Sequence, residues 1–335
     1  MDEEWAVEKP RKKLATPYGF SEKLVWLKNN LLGPSKKFKE LTDFIPQKST
    51  INEIVPKIRL GFLGDIMGMR RKELEIGPRI KEFFSDCKYL VGNFEGTLIR
   101  GEFTGKRVFM AQDHTENILS TLETLFPPER FVLTNANNHS GDFGWEVFNR
   151  SYELLSERGF KVIGRRDKPS ILLDQEINVV SCTKWSNQPR TPYIVYLDEM
   201  DGWLNPEANF NILSPHWGYE MQLYPNSAQI ESGQQLLENW DLIVGHHSHC
   251  PQPITSYTIN NVNKVLAFSL GDFCIGLKMK KYHYGIVVKA DIGPDKMGTW
   301  KLGELHWKFT QVHVIGKKNY EVKLEDKCKY LKNVV

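Results

Sequence analysis

The sequence has little cysteine, no long apolar run and almost no net charge, and each shortage excludes something. Five cysteines (Cys87, Cys182, Cys250, Cys274 and Cys328) are scattered over 335 residues, odd in number and without a CxxC pair. That argues against a disulfide framework and against a thiolate zinc ribbon. Nowhere does the chain approach the roughly 18 consecutive apolar residues of a membrane-spanning helix. The N-terminal MDEEWAVEKPRKK is charged and lacks the apolar segment of a signal peptide. A cytoplasmic chain is therefore expected, with membrane association at most peripheral. Forty-four Lys and Arg against 41 Asp and Glu leave a formal charge of +3, too little to argue for nucleic acid as a partner. A Walker A loop, a GxGxxG after a strand and a GxSxG elbow are all missing. A nucleotide cofactor and covalent catalysis thus have no sequence support.

What is present is a chain able to bury a sizeable core, with 41% hydrophobic and 25% charged residues. Residues 1–56 read as a Lys- and Pro-rich extension with one helix around Ser21–Leu32. Ten Lys and Arg face seven Asp and Glu over residues 1–50, and six Lys face three acids from Lys317 to Val335. The two ends carry the positive charge, and the centre is slightly acidic. From residue 57 short apolar runs alternate with amphipathic stretches, the pattern of an α/β chain. Strands are expected at Arg59–Leu63, Tyr89–Gly92, Phe131–Thr134, Lys161–Ile163, Ile177–Cys182, Asn211–Ser214, Leu242–Val244, Val265–Ser269 and Gly285–Val288. Helices are expected at Gly77–Phe84, Thr115–Leu125, Gly144–Arg158 and Ser227–Trp240. The division is an extension at 1–56, a catalytic domain at 57–291, and a C-terminal strand with basic tail at 292–335.

The informative feature lies at the strand ends. RLGFL runs into Gly64-Asp65, YLVG into Asn93-Phe94-Glu95-Gly96, and FVLT into Asn135-Ala136-Asn137-Asn138-His139-Ser140-Gly141-Asp142. NILS runs into Pro215-His216-Trp217-Gly218, and LIVG into His246-His247-Ser248-His249. In an α/β sheet the C-terminal ends of parallel strands share one edge, where ligands bind. Taken singly, Gly-Asp is a turn, Asn-Asn-His fits an Asx turn, and His216 before Trp217 fits packing. Three His in four residues is costly to explain as core, and all five loops in this order are harder still. Carboxylate, amide and imidazole together suit Zn, Fe, Mn or similar divalent ions. Six candidate ligands exceed the needs of one metal. Two ions sharing a bridging carboxylate would use them all, an arrangement that lowers the pKa of water and clamps an in-line phosphoryl transfer.

These residues carry a resemblance. GDIMGMRR, VGNFEG, VFMAQDHTENILSTLE, NANNHSGDFG, GFKVIG, SPHWGYE and GHHSHCPQP with FSLGDF resemble the bacterial capsule-synthesis family (CapA-like, PGA_cap) of the calcineurin-like metallophosphoesterase superfamily, from about Ile58 to Asp291. The resemblance implies a four-layer αββα sandwich with two divalent metal ions at one edge. It implies Asp65, Glu95, Asn138, His216, His247 and His249 as metal ligands, with Glu95 bridging, Asn93 beside it and His246 as the alternative. It implies His139 as the acid that protonates the leaving oxygen. Asp142 is placed to orient His139, and Arg70, beside Arg71, to hold a phosphate or an acidic polymer. The first motif departs from the superfamily pattern, because Met67 stands where Asp-x-His would supply an imidazole.

The expected activity is metal-dependent hydrolysis, of phosphoesters first and of an amide bond by the same activated water as a further possibility. The alternative is a non-hydrolytic factor that binds or assembles poly-γ-glutamate or capsule polymer. Trp217 is expected to wall the site and Trp185, in a polar loop, to act as a lid. The inserts at 98–112 and 184–208 carry no readable chemistry. His114, His283, His306 and His313 are expected to lie outside the site.

Overall fold

The computed structural model describes residues 18–101, 110–188 and 191–331. Residues 1–17 of the expected extension, 102–109 and 189–190 of the two inserts, and 332–335 of the tail lie outside them.

Two sheets of mixed direction organise the chain. The larger has its strands in the order Glu73–Ile76, Asn319–Glu325, Trp300–Val314, Tyr284–Pro294, Ile58–Ile66, Tyr89–Phe94, Phe131–Thr134 and Lys161–Ile163. Lys48–Thr50 adds to Trp300–Val314, and Asp272–Cys274 adds to Ile58–Ile66. Ile58–Ile66 and the three strands beyond it run parallel, while Tyr284–Pro294 is antiparallel to it. The second sheet has the order Ile254–Ile259, Val262–Ala267, Leu242–Val244, Phe210–His216, Ile177–Thr183 and Ser170–Leu173, with the four inner strands parallel.

Every strand read from the sequence is present, and several run further toward the polar loops. Ile58–Ile66 extends through Asp65, and Phe210–His216 extends through His216. The helices are Phe20–Leu32, Pro78–Phe84, Asn117–Leu125, Trp145–Glu157 and Ser227–Leu236. The larger sheet takes strands from both sides of residues 57–291. Tyr284–Pro294 passes through residue 291 and pairs along its length with Trp300–Val314, and Lys48–Thr50 pairs with the same strand.

Side-chain alternation assigns each strand face to a separate apolar cluster. In Ile58–Ile66, Leu60 and Phe62 join Val91 and Val132 in a cluster that also holds Val179, Ile212, Val244 and Val265 from the second sheet. Leu63 faces the other way, and Ile66 joins it past a shift in the register with Tyr89–Phe94, toward Ile80, Phe84, Ile118, Leu122 and Leu155 of three helices. In the second sheet Val180, Leu213, Ile243 and Leu266 pack with Leu237 and Trp240 just past the helix Ser227–Leu236. Strands buried on both faces need near-continuous apolar runs, which is why FVLT and LIV were legible. No described helix is long and apolar enough to cross a membrane. All five cysteines are buried free thiols.

Candidate metal centre

The parallel strands of both sheets end at one edge, and the polar loops meet there. Two glycines set the closest approach. A Cβ on Gly64 would sit 2.1 Å from the carbonyl oxygen of Gly271, and Gly271 itself has φ +64°. With neither side chain in the way, Asp65 N–H donates to Gly271 O at 2.8 Å, and Asp272 falls in register beside Asp65. The GHHSH loop stores backbone strain, with φ 93° at His247 and 51° at His249. Non-glycine residues hold such angles only where the surroundings impose them.

Asp65, Glu95, Asn138, His139, His216, His246, His247 and His249 are all buried. Glu95 is the centre of the arrangement. It is fully buried, and neither carboxylate oxygen has a hydrogen-bond partner. Its Oε1 lies 3.7 Å from His139 Nε2, 3.8 Å from His216 Nε2 and 3.9 Å from His249 Nε2. An orphaned buried carboxylate costs several kcal/mol in a protein interior, a cost that a bound cation could offset.

Two ligand groups flank it. In one, Glu95 is grouped with His216 and His247. His247 Nδ1 lies 3.0 Å from His216 Nε2, and Asn138 Oδ1 lies 2.8 Å from the same His216 nitrogen. In the other, Asp65, His249 and Asp272 converge, with His249 Nδ1 at 2.9 Å from Asp272 Oδ1. Asp65 accepts hydrogen bonds from Asn93 Nδ2 at 2.9 Å and from the His247 backbone N–H at 3.0 Å. His246 stands outside both groups, its Nδ1 at 3.0 Å from Asp65 Oδ1. These donor sets fit divalent cations bound through carboxylate, amide and imidazole.

The electrostatics differ between the groups. Burial, then the neighbouring imidazoles, push His216 well below the usual histidine range. Burial brings His247 down to about 4. Both therefore favour the neutral imidazole, the form that can ligate a cation. Burial also opposes charge on His249, but Asp272 and Glu95 outweigh it and raise His249 well above the usual range. Burial lifts Glu95 well above an ordinary carboxylate and Asp272 to about 6. Asp65 is depressed: burial opposes its charge, and His246 and His249 outweigh the burial.

His139 is held by Asp142, whose Oδ2 lies 2.5 Å from His139 Nδ1 and also accepts the Gln112 backbone N–H at 3.0 Å. Asn187 packs against the same ring, its Nδ2 3.0 Å from Nδ1 and 3.4 Å from Nε2. Its backbone N–H donates to Asn138 O at 2.8 Å.

The remaining expectations divide. Arg70 and Arg71 are exposed, with φ 48° and 61°, and neither touches the ligand set. Trp217 does not wall the site. Alternation turns it away from His216 into the cluster around Leu213 and Phe268, where its indole N–H donates to Phe268 O at 3.0 Å. Trp185 meets His247 edge-on at 5.2 Å. His114 is not outside the centre. It is stacked on Phe94 at 4.0 Å, with Nε2 at 2.9 Å from the Glu95 carbonyl oxygen.

Asp272 was missed, although its signal was in the sequence: FSLGDF repeats the pattern of strand, glycine and acid seen at FLGD. Asn187 was missed because SCTKWSNQPR offers only a polar loop. Met67, where an imidazole was expected, is buried in the core, and Asp272 provides a third donor beside Asp65 and His249.

Fold and site together define a mixed α/β protein with a buried carboxylate–imidazole centre at a sheet edge. The family model described as bacterial capsule synthesis protein PGA_cap matches residues 59–189 and 198–276, and the chain belongs to that family. It is 24% identical over 259 residues to the PGA biosynthesis protein CapA of Bacillus subtilis (strain 168), covering 68% of this chain and 65% of that one. It is 24% identical over 263 residues to the capsule biosynthesis protein CapA of Bacillus anthracis, covering 68% of this chain and 61% of the other. The match thus spans less than two thirds of either relative. Among solved structures, a hypothetical protein from Thermus thermophilus is similar with TM-score 0.45 and 11% identity, covering 75% of this chain and 98% of that one. A putative 5'-nucleotidase from Staphylococcus aureus, in complex with alpha-ketoglutarate, is similar with TM-score 0.40 and 11% identity, covering 74% and 54%.

Proposed function

We propose that this protein is a metal-dependent phosphoester hydrolase serving capsule or poly-γ-glutamate biosynthesis. The observation that carries the reading is Glu95, a fully buried carboxylate without a hydrogen-bond partner, facing three imidazole nitrogens between two ligand groups. Glu95, Asn138, His216 and His247 would hold one ion; Asp65, His249, Asp272 and the shared Glu95 would hold the other. Bound there, divalent cations supply Lewis-acid charge neutralisation and a lowered pKa for water. In the fold, the proposal takes the four-layer αββα form. Its support is the single cluster joining the two sheets and the separate clusters that carry helices on their outer faces.

The chain's own residues divide the remaining work. Asp142 fixes His139 through Nδ1, so that Nε2 points toward Glu95 and the centre. From there His139 gives a proton to the departing oxygen, a role worth about 10²- to 10⁴-fold in rate. Asn187 packs against the same ring. Asn93 steadies Asp65 from the side, and His114 fixes the peptide that carries Glu95.

The test measures bound metal and turnover on a panel of phosphomonoesters and phosphodiesters with Mn, Fe or Zn, for the wild type, His139→Ala and Asp65→Asn. The expected result is metal-dependent turnover that falls about 10²- to 10⁴-fold in His139→Ala with metal content retained. Equal rates in all three proteins would sink the reading. The names of the two Bacillus relatives support a second role, binding or assembling poly-γ-glutamate without hydrolysis. Full metal loading, no turnover and tight binding of poly-γ-glutamate would favour that one.

A further inference from the structure

The N-terminal segment expected to be a mere extension reaches the centre. Tyr18 is buried, and its hydroxyl lies 3.4 Å from His247 Nε2. The same hydroxyl accepts the Glu220 backbone N–H at 3.1 Å. The Tyr18 ring stacks on Tyr219 at 5.0 Å and lies 5.7 Å from Trp185, the indole that abuts His247. The adjoining helix Phe20–Leu32 is tied to the loop just after His216. Trp26 Nε1 donates to Glu220 Oε2 at 2.6 Å, Tyr219 O–H donates to Glu22 Oε1 at 2.7 Å, and Asn29 Nδ2 donates to Met221 O at 3.3 Å. Only Asn29 of this helix is buried, while Phe20, Leu24, Leu27 and Leu31 are exposed. The helix is held by polar contacts to the site loop rather than by an apolar core face.

We propose that Tyr18 is a positioning residue for the metal centre, holding His247 through Nε2 so that Nδ1 presents its lone pair beside His216 and Glu95. The inference rests on the metal reading of the centre and adds to it a residue from outside the family match. The chemistry is direct. A neutral imidazole carries one proton, and a ligating histidine has its other nitrogen held by an acceptor that fixes the tautomer and the ring. The Tyr18 oxygen has two lone pairs. One takes the Glu220 N–H, which fixes the hydroxyl in place, and the other faces His247 Nε2. With the proton on Nε2, Nδ1 is left bare on the side where His216 Nε2 lies 3.0 Å away. Trp185 meets the imidazole edge-on, and Tyr219 stacks on the Tyr18 ring, so both partners of the contact are held.

The experiment titrates the full chain with Co(II) alone, following visible absorption and counting bound equivalents, for the wild type, Tyr18→Phe and Tyr18→Gln. Tyr18→Phe keeps the stacked ring and loses the acceptor; Tyr18→Gln restores an acceptor oxygen. The expected result is that Tyr18→Phe weakens one of two Co(II) equivalents by about 10- to 100-fold and alters its absorption band. The other equivalent stays unchanged, and Tyr18→Gln recovers part of the loss. A wild type that loads two equivalents while Tyr18→Phe loads them with the same affinity and spectrum overturns this assignment alone. So does a Tyr18→Gln variant as impaired as a Tyr18→Phe variant. A wild type that takes up no Co(II) overturns the metal reading and this assignment with it.

Discussion

The two halves of the centre are built on opposite electrostatic plans. Around His216 and His247 the donors are two imidazoles, an amide and the one carboxylate of Glu95, and burial pushes both rings below the usual histidine range. Around His249 the donors are carboxylates, and Asp272 and Glu95 hold a proton on the ring against the cost of burial. In one half burial disfavours a proton on the rings; in the other the carboxylates favour one. The difference teaches that a sheet edge can accumulate charge of one sign only where something balances it. Asp65 and Asp272 are tolerated beside Glu95 because His249 and His246 face them. It also shows how the half without an imidazole at Met67 remains furnished, since Asp272 enters from a neighbouring strand of the same sheet.

The comparison can be broken most severely at Glu95, which faces His216 in one half and His249 in the other. Glu95→Gln is expected to weaken metal uptake at both sites by more than about 100-fold, beyond what loss of a supporting partner costs, as read by metal analysis after dialysis. Retention of two tightly held ions would remove Glu95 from the bridging position. Asp272→Asn separates the halves. One equivalent is expected to weaken by about 10- to 100-fold while the other is unchanged, which calorimetric titration resolves. Equal loss from both halves would show that they are not independent groups.

A pH series sharpens the electrostatic side. Burial lowers His114 to about 4 from an ordinary 6.5. Between those values the unfolded chain binds a proton that the folded chain refuses. Stability therefore rises with pH across that window, and is lost as pH falls through it, by about 3 kcal/mol when both pKa values have been passed. Urea midpoints of the metal-free chain from pH 7 to pH 4 measure this, and His114→Gln is expected to flatten the profile by that contribution. An unchanged profile would mean that His114 is protonated in the folded state. The smallest effect is expected at Arg70, which is exposed and touches no ligand. Arg70→Ala is expected to change kcat/KM by no more than about twofold, the scale of an ordinary surface substitution. A tenfold loss would bring it into the substrate site.

Much of the site was legible because its elements are local. FVLT, NILS and LIVG are apolar enough to be strands, and each is followed within a few residues by Asn, His or both. Trp217 misled because a single aromatic beside His216 gives no indication of which face it takes; alternation at the strand end sends it to the opposite side. Arg70 and Arg71 follow Asp65 closely in sequence, and a turn with positive φ at both leaves them exposed. His114 looked bland because its partner is a backbone carbonyl, which no side-chain motif announces.

The sequence by itself determined that five apolar strands end in carboxylate, amide and imidazole groups, and that in an α/β chain these ends share an edge. Period-two alternation and continuous apolar runs are properties of neighbouring residues, so they survive without knowledge of the fold. Only the tertiary structure decided that Asp272 joins Asp65, that Asn187 packs against His139 and that Tyr18 stands behind His247. Each of these depends on an approach between distant segments: two glycines at Gly64 and Gly271 that let backbones meet, and a helix at residues 20–32 docked on the loop after His216. Such contacts are fixed by packing across the whole chain, and no local spacing encodes them.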